Sequence, residues 1–267
     1  MNANKPGQTD SAPSLRLPTE LAFYASAPHD CGYLPDKTAI TVFADPEAPM
    51  DMSAYSALVE LGFRRSGSHV YTPHCPHCSA CLPARLPVAR FAPNRNQRRN
   101  FDRGTDITVH ITEDGDSDEA FALYQRYLGQ RHPGGGMDDP SPEKYREFLS
   151  SPWAHTEFVH FRRQGRLIAV AVQDVLSRGL SSVYTFFDPD LTGLSLGRYA
   201  LLWQIHETRR RGLPWLFLGY WIAASPKMAY KQEYRPIELF HQGRWQSYSR
   251  GQALPGQTCA PPTKKTV

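Results

Sequence analysis

The sequence predicts an α+β protein: a mixed, mainly antiparallel sheet flanked by helices, with a cysteine-containing α/β subdomain ahead of it. Three observations carry this. Strand-sized apolar runs at 157–162, 167–176 and 181–187 are separated by the turn pairs Gln164-Gly165 and Arg178-Gly179, which makes an antiparallel meander. Leu196, Tyr199, Ala200 and Trp203 fall at helical spacing, and Gly212 with Pro214 beyond it stops that helix. Cys75, Cys78 and Cys81 crowd one turn in a less regular first half.

Residues 1–18 are rich in Pro, Ser and Asn without periodicity and read as a disordered tail; 251–267 read as a flexible one. Between them, 19–104 form the N-terminal subdomain and 105–250 the sheet domain. In the first, Ser53 is placed to cap a helix over 54–61 that Gly62 ends. Residues 85–91 alternate as a strand, and 94–103 follow as a basic helix start or loop. In the second, Ile107, Val109 and Ile111 alternate as a strand. Phe121, Tyr124 and Leu128 mark a helix, 142–148 a further one, and Gly134-Gly135-Gly136 a flexible connection. After the meander come a helix at 195–211, an apolar strand at 216–222, a short helix at 226–232 and a closing strand at 237–245.

Composition excludes several classes. With 267 residues, 40% hydrophobic and 21% charged, the chain can build a sizeable core and is not intrinsically disordered. No run approaches the roughly 18–20 apolar residues of a membrane helix, and 1–20 lack a secretory apolar region. Five cysteines, three of them clustered, are not a secreted disulfide framework. These features predict a soluble, cytoplasmic protein with no membrane partner. Net charge is only +4, yet 85–103 holds six Arg against one Asp, while 113–119 holds five carboxylates. Such asymmetry suits either a polyanion-facing surface or a solvated helix face.

The order strand, helix, helix, meander, helix, strand, helix, strand resembles the Gcn5-related acyltransferase (GNAT) fold. There the loop before the central helix offers its N–H groups to donor phosphates. The loop here runs from Asp188 to Gly197, and its carboxylates Asp188 and Asp190 would repel a pyrophosphate. The scaffold fits acyl transfer, and coenzyme A as donor fits poorly.

Several blocks then resemble the bacterial aspartate/glutamate leucyltransferases, short relatives of the arginyl-tRNA–protein transferases. They are Cys31-Gly-Tyr-Leu-Pro35, Gly62-Phe-Arg-Arg-Ser-Gly67 and Tyr71-Thr-Pro-His-Cys-Pro-His-Cys-Ser-Ala-Cys81 in the first half. In the second half they are Gly179-Leu-Ser-Ser-Val-Tyr-Thr-Phe-Phe-Asp188, Ser195-Leu-Gly-Arg-Tyr-Ala-Leu-Leu-Trp203, Leu218-Gly-Tyr-Trp-Ile222 and Lys227-Met-Ala-Tyr-Lys231. The resemblance implies transfer of leucine from leucyl-tRNA to the α-amine of proteins beginning with Asp or Glu, a mark for N-degron degradation. It implies aminoacyl-tRNA as co-substrate, no cofactor for the chemistry, and no DNA partner. Arginyl transfer to the same acceptors stays open, as does, further off, an RNA-binding zinc protein. The eukaryotic relatives hold an iron–sulfur cluster on a Cys-x-x-Cys and two later cysteines. Here Leu34 replaces the second Cys, leaving Cys31, Cys75, Cys78 and Cys81 as candidate ligands for zinc or a cluster, or as reduced thiols. His74 and His77 are further possible ligands, and Cys259 is expected to be inert.

The implied reaction is aminolysis of an activated ester. An α-amine with a pKa of about 7.7–8.0 is partly neutral at pH 7, so positioning can supply most of the acceleration. Tyr184, Asp188 and Tyr220 are the candidate catalytic residues; Asp188 either handles the ammonium proton or simply starts a turn. Lys227, Lys231 and Arg235 are candidates to read the acceptor carboxylate, with Tyr230 beside them, and Lys227 and Lys231 share a face if 226–232 is α-helical. Tyr199 is a further substrate-binding candidate, and it, Trp203 and Tyr220 are either adenine-stacking or core. Arg85, Arg90, Arg95, Arg98, Arg99 and Arg103 are the expected tRNA phosphate contacts. Arg209, Arg210 and Arg211, at a helix C-terminus, are expected to be structural.

Overall fold

The computed structural model describes residues 20–131 and 140–257. The tail 1–18, the Gly134–Gly136 run and Cys259 lie outside the described residues. In the first part the elements are β1 (Phe23–Ala25), β2 (His29–Asp30), β3 (Thr38–Ala39), β4 (Thr41–Ala44), α1 (Met52–Glu60), β5 (Arg64–Ser66), β6 (His69–Pro73), β7 (Leu82–Pro87) and α2 (Arg95–Asp102). There follow β8 (Ile107–Thr112), α3 (Asp118–Arg131), α4 (Pro142–Leu149), β9 (Thr156–Arg163), β10 (Arg166–Leu176) and β11 (Gly179–Phe187). The chain continues with α5 (Leu196–Arg210), β12 (Trp215–Trp221), α6 (Pro226–Ala229), a 3₁₀ turn (Tyr230–Glu233), β13 (Ile237–His241) and β14 (Arg244–Tyr248). No helix among the described residues is long and apolar enough to cross a membrane.

An eight-stranded sheet in the order β14-β13-β7-β12-β11-β10-β9-β8 organises the molecule. All its pairings are antiparallel except β11 with β12. Aromatic and aliphatic side chains of α3 and α4, among them Tyr124, Leu128 and Tyr145, pack with Phe158, Val170, Val172 and Phe186 of the sheet. Helix α5 packs Leu196, Tyr199 and Ala200 with Val159, Phe161, Ala169 and Ala171, residues that alternate with the first set along their strands. This is the mixed, helix-flanked sheet that the sequence predicts.

Local chemistry adjusts several boundaries. Helix α1 is capped by Asp51, whose Oδ1 accepts from Ala54 N at 2.8 Å, so it starts ahead of Ser53. Asn94 and Gln97 form a reciprocal capping box, which makes 95–102 a helix rather than a loop. The strand expected at 85–91 is β7, ending at Pro87, beyond which the chain turns with Arg90 N bonded to Pro87 O. The single closing strand is a hairpin, because Gln242 and Gly243 take φ of 52° and 75°. The helix expected over 226–232 is one α-turn followed by a 3₁₀ turn.

The N-terminal part is not separate from the large sheet. A four-stranded sheet, β1-β4-β6-β5, and the pair β2-β3 lie outside it, but β7 sits inside it between β12 and β13. A boundary at residue 104 therefore cuts across one hydrogen-bonded layer.

Candidate active site

Strands β11 and β12 pair only from Gly179 with Trp215 to Ser181 with Phe217. Beyond that they part, β12 turning to β7 through a register shift between Phe217 and Gly219. Gly219 has φ of 73°, which a side chain would strain, so the bend and the glycine belong together. The gap between the strands is a cleft of about 310 Å³. Its apolar wall is Phe187, Leu201 and Leu218, with Tyr230 and Tyr234 across from them. Ser182, Thr185 and Gln204 add polar atoms, and among the described residues no Asp or Glu lines it. At one end the first turn of α5 enters the cleft with Ser195, Gly197 and Arg198. Ser195 makes no side-chain cap, so the N–H groups and positive dipole end of this helix are left for an anion. Arg198 bonds Glu233 at 2.8 Å on the rim.

Two cations close the apex of the split. Arg64 Nη2 donates to Ser182 O at 2.6 Å and Nη1 to Ser181 Oγ at 3.3 Å, satisfying groups that the parting strands release. A Cβ at Gly219 would stand 3.0 Å from Arg64 Cζ, so the missing side chain admits the guanidinium. Lys231 is 5% exposed. Its Nζ donates to the neighbouring Tyr220 O and lies 3.2 Å from Met228 Sδ. Burial, and next the Arg64 charge, push its pKa down to about 7. Neither cation forms an ion pair with a described carboxylate. Burial also raises the Tyr33, Tyr71 and Tyr220 hydroxyls, which gather on the far side of this pair.

The other candidates sort by their partners. Asp188 is almost fully buried and doubly held: Arg126 Nη2 donates to Oδ1 at 2.6 Å and Arg166 Nη2 to Oδ2. It also accepts from Asp190 N at 3.1 Å, so both its oxygens are committed to the turn and neither is placed as a base. Asp190 shares Arg126 at 3.1 Å, which neutralises the carboxylates of this loop. Tyr184 packs with Tyr124, Tyr127 and Phe148 of the α3–α4 layer, across the sheet from α5 and the cleft. The Tyr220 hydroxyl bonds Gly62 O and Tyr71 O, both at 3.2 Å, so its backbone rather than its phenol faces the lysine. Tyr199 belongs to the core: it bonds Gly104 O at 3.2 Å, stacks on Phe101, and touches Gly104 so closely that a Cβ there would overlap its ring. Trp203 packs on Phe161 in the same core.

Lys227 and Lys231 do not share a face, because the α-turn ends between them; Lys227 is exposed on α6 and Lys231 points inward. Arg235 is a clamp on the C-terminal segment, donating to Gln232 O at 2.8 Å and to Ser249 O and Gln252 O at 3.3 Å. Arg85 is likewise structural. It pairs with Glu60 at 2.6 Å and Glu238 at 2.9 Å between Trp215 and Trp245. Arg90 adds to Glu238 at 3.0 Å. Arg95, Arg98, Arg99 and Arg103 remain exposed along α2 while Gln97 and Asn100 turn inward. Gln97 Nε2 reaches Glu233 O at 3.4 Å, which sets this helix beside the cleft rim. Arg209 holds Phe91 O at 2.8 Å, and Arg210 and Arg211 each hold Glu207 at 2.7 Å, whose pKa they draw down to about 2.

The four candidate cysteines are not gathered round one point in the described structure. Among the described residues no three His, Cys, Asp or Glu side chains gather to hold an ion. Cys75 Sγ lies 3.8 Å from Ile40 O, while Cys78 and Cys81 pack against the Tyr220–Ile222 cluster.

The residues that sequence reasoning missed are Arg64 and the polar cleft floor, Ser182, Thr185 and Gln204. Arg64 lies in the Gly62-Phe-Arg-Arg-Ser-Gly67 block, but nothing local separates it from Arg65.

Comparison with known proteins matches this frame. Residues 29–99 match the family model described as arginine-tRNA-protein transferase, N terminus, and 119–241 its C-terminus counterpart. Proteins named aspartate/glutamate leucyltransferase from Pseudomonas fluorescens and Pseudomonas aeruginosa are 53% identical over 230 residues, covering 85% of this chain and 98% of each relative. Among solved structures, L-PGS from Bacillus licheniformis aligns at a TM-score of 0.41 and 14% identity, over 64% of this chain and 49% of that one. A GCN5-related glucosamine N-acetyltransferase region of a fungal enzyme aligns at 0.37 and 8%, over 76% and 23%. With both family halves present in order and identity this high over nearly the whole length of its relatives, the chain belongs to the arginine-tRNA-protein transferase family.

Proposed function

We propose that this chain transfers leucine from leucyl-tRNA to the N-terminal α-amine of proteins beginning with Asp or Glu, marking them for N-degron degradation. The relatives' name supports the reading. The observation that carries leucine rather than arginine is the cleft wall: Phe187, Leu201 and Leu218 with no carboxylate among the described lining residues. A guanidinium side chain would need a buried anion there, whereas an aliphatic one gains about 0.8 kcal/mol per CH₂ removed from water.

The chemistry then follows from position. The α5 N-terminus and Arg198 hold the terminal phosphate of the tRNA, which brings the ester into the cleft. Arg64 and Lys231 read the side-chain carboxylate of the acceptor's first residue, and this fixes its amine beside the ester carbonyl. The amine attacks the carbonyl carbon, the bond to the ribose oxygen breaks, and the amine's proton leaves to solvent or to that oxygen. Proximity supplies the acceleration, with no strong nucleophile required. The arginines of α2 steady the tRNA through its phosphates.

The test is a transfer assay with labelled leucyl- and arginyl-tRNA and a peptide led by Asp. Leucine incorporation is the expected result; incorporation of arginine alone overturns the reading.

A further inference from the structure

A buried polar chain runs from the C-terminal turn of α5 to the floor of the cleft. Arg211 Nη1 and Nη2 donate to Glu157 Oε1 and Oε2, both at 2.9 Å. Gln173 Nε2 donates to Glu157 Oε2 at 2.9 Å, and Gln204 Nε2 to Gln173 Oε1 at 3.0 Å. Both glutamines are 0% exposed. The direction of the chain is dictated by chemistry. A carboxylate paired with a guanidinium only accepts, so it turns the Gln173 amide nitrogen toward itself and the Gln173 oxygen toward α5. That oxygen takes the Gln204 nitrogen, which leaves Gln204 Oε1 as the free end. Gln204 lines the cleft, and its Oε1 is buried with no hydrogen-bond partner. Flipping either amide would set like groups against each other, so the unmet acceptor cannot be relieved from within the chain.

We propose that Gln204 Oε1 receives an N–H of the α-ammonium of the donor's aminoacyl group. This rests on the reading of the cleft as the leucyl site. Leu201 lies one turn before Gln204 on α5, and Leu218 faces it from β12. An aliphatic side chain held between those leucines carries its amine on the adjacent carbon, within reach of Gln204. The anchored relay polarises that oxygen further and holds it rigid. The contact also sets a donor rule: a free α-amine is accepted, and an N-acylated aminoacyl-tRNA, with a neutral and crowded nitrogen, is refused.

The test compares leucyl-tRNA, 4-methylpentanoyl-tRNA (the same acyl group without its amine) and N-acetyl-leucyl-tRNA, each with a peptide led by Asp. The wild-type protein is expected to prefer leucyl-tRNA in kcat/KM by roughly 10- to 100-fold, as a hydrogen bond to a charged group commands. Gln204→Leu should lose that factor on leucyl-tRNA alone, leaving the two amine-lacking or blocked donors within about threefold of their wild-type values, so that the preference collapses. Gln173→Leu, which frees the Gln204 amide to turn, should give an intermediate loss with the same donor dependence. An equal loss on all donors in Gln204→Leu, or a loss that follows acceptor KM instead, overturns the proposal. So does a wild-type protein indifferent to the amine, an outcome that needs no variant to fold. Failure of the wild type to use leucyl-tRNA at all refutes the leucyl reading itself and is seen first, in the untreated comparison.

Discussion

Arg64 and Arg65 are consecutive on β5 and have opposite fates. Arg65 is wholly enclosed: Nε and Nη2 donate to Asp174 at 2.7 and 2.6 Å, and further bonds reach Thr156 Oγ1 at 2.9 Å and Leu149 O at 3.0 Å. Tyr55 closes the other side of Asp174 at 2.9 Å. Arg64, on the other face, finds a hydroxyl and a carbonyl and, among the described residues, no carboxylate, and its charge stands beside Lys231. A strand sends successive side chains to opposite sides, so a single dipeptide serves architecture on one and recognition on the other. The pairing, and not the residue type, tells the two apart.

The widest separation should appear when each arginine is removed. Arg65→Ala strands the Asp174 carboxylate in a dry interior and should cost about 3–5 kcal/mol of stability in urea unfolding. Arg64→Ala should cost about 1 kcal/mol or less, the net worth of its hydrogen bonds, yet lower transfer to Asp- and Glu-led peptides by roughly 100-fold or more. If both variants unfold alike, the contrast between the two faces is lost.

Lys231 sharpens the same contrast through pH. Its folded pKa of about 7 lies below the 10.5 of a free lysine, so the unfolded chain binds the extra proton between those values. The cost of burying it is absent above pH 10.5 and complete below about pH 7. Lys231→Met should therefore stabilise the fold at pH 7 by on the order of 2–4 kcal/mol and by little at pH 10, while weakening acidic acceptors. A stability gain that does not change with pH would show that Lys231 binds its proton equally in the folded and unfolded chains, with no cost of burial as an ammonium. In the intact protein, acceptor affinity should fall as pH rises through 7, because the ammonium is then lost; acceptor KM measured from pH 6 to 8 reads this directly.

Asp188 tests the contrast from the other side, as a paired carboxylate in a position where a base was expected. Its partners Arg126 and Arg166 are about half exposed, so Asp188→Asn should cost only about 1–2 kcal/mol. The pH profile of kcat should keep its shape. Disappearance of its acidic limb would return Asp188 to the catalytic set.

The meander, α5 and the fold class were legible because their signals are local: apolar period, turn pairs and a glycine stop. The helix over 226–232 proves to be an α-turn followed by a 3₁₀ turn because seven residues cannot declare which way they wind, and the inward setting of Lys231 has a cause that the α spacing does not contain. Tyr199 followed its apolar stripe inward, so its helical phase argued for the core it occupies. Arg85 and Arg235 were read as free because their partners, Glu238 and the carbonyls of 248–252, are brought to them by the sheet and the C-terminal segment. Gln204 had a faint signal, a short amide on an apolar helix face, but its meaning needed Gln173 and Glu157 from two other strands.

The basic stretch divides along the same line, with a smaller effect at each position. Arg85 is paired and stacked, so its loss should appear as lowered stability. Arg95, Arg98, Arg99 and Arg103 lie exposed on α2 and its cap, beside the cleft rim, and the Arg98 guanidinium bonds Pro93 O at 2.7 Å. A tRNA drawn into the cleft by its acceptor end would pass its backbone along this helix, and each phosphate met by an arginine releases counterions. Replacing Arg95, Arg98 or Arg99 by Ala should leave the unfolding midpoint unchanged. It should weaken leucyl-tRNA binding and reduce the slope of log K against log salt by about 0.7–0.9 per contact. Because phosphate contacts read no sequence, the loss should be the same for uncharged tRNA and for tRNA of another isoacceptor. Titrations at two or three salt concentrations would detect it; an unchanged slope in the triple variant would move the tRNA path off α2 and leave these arginines as a solvated helix face.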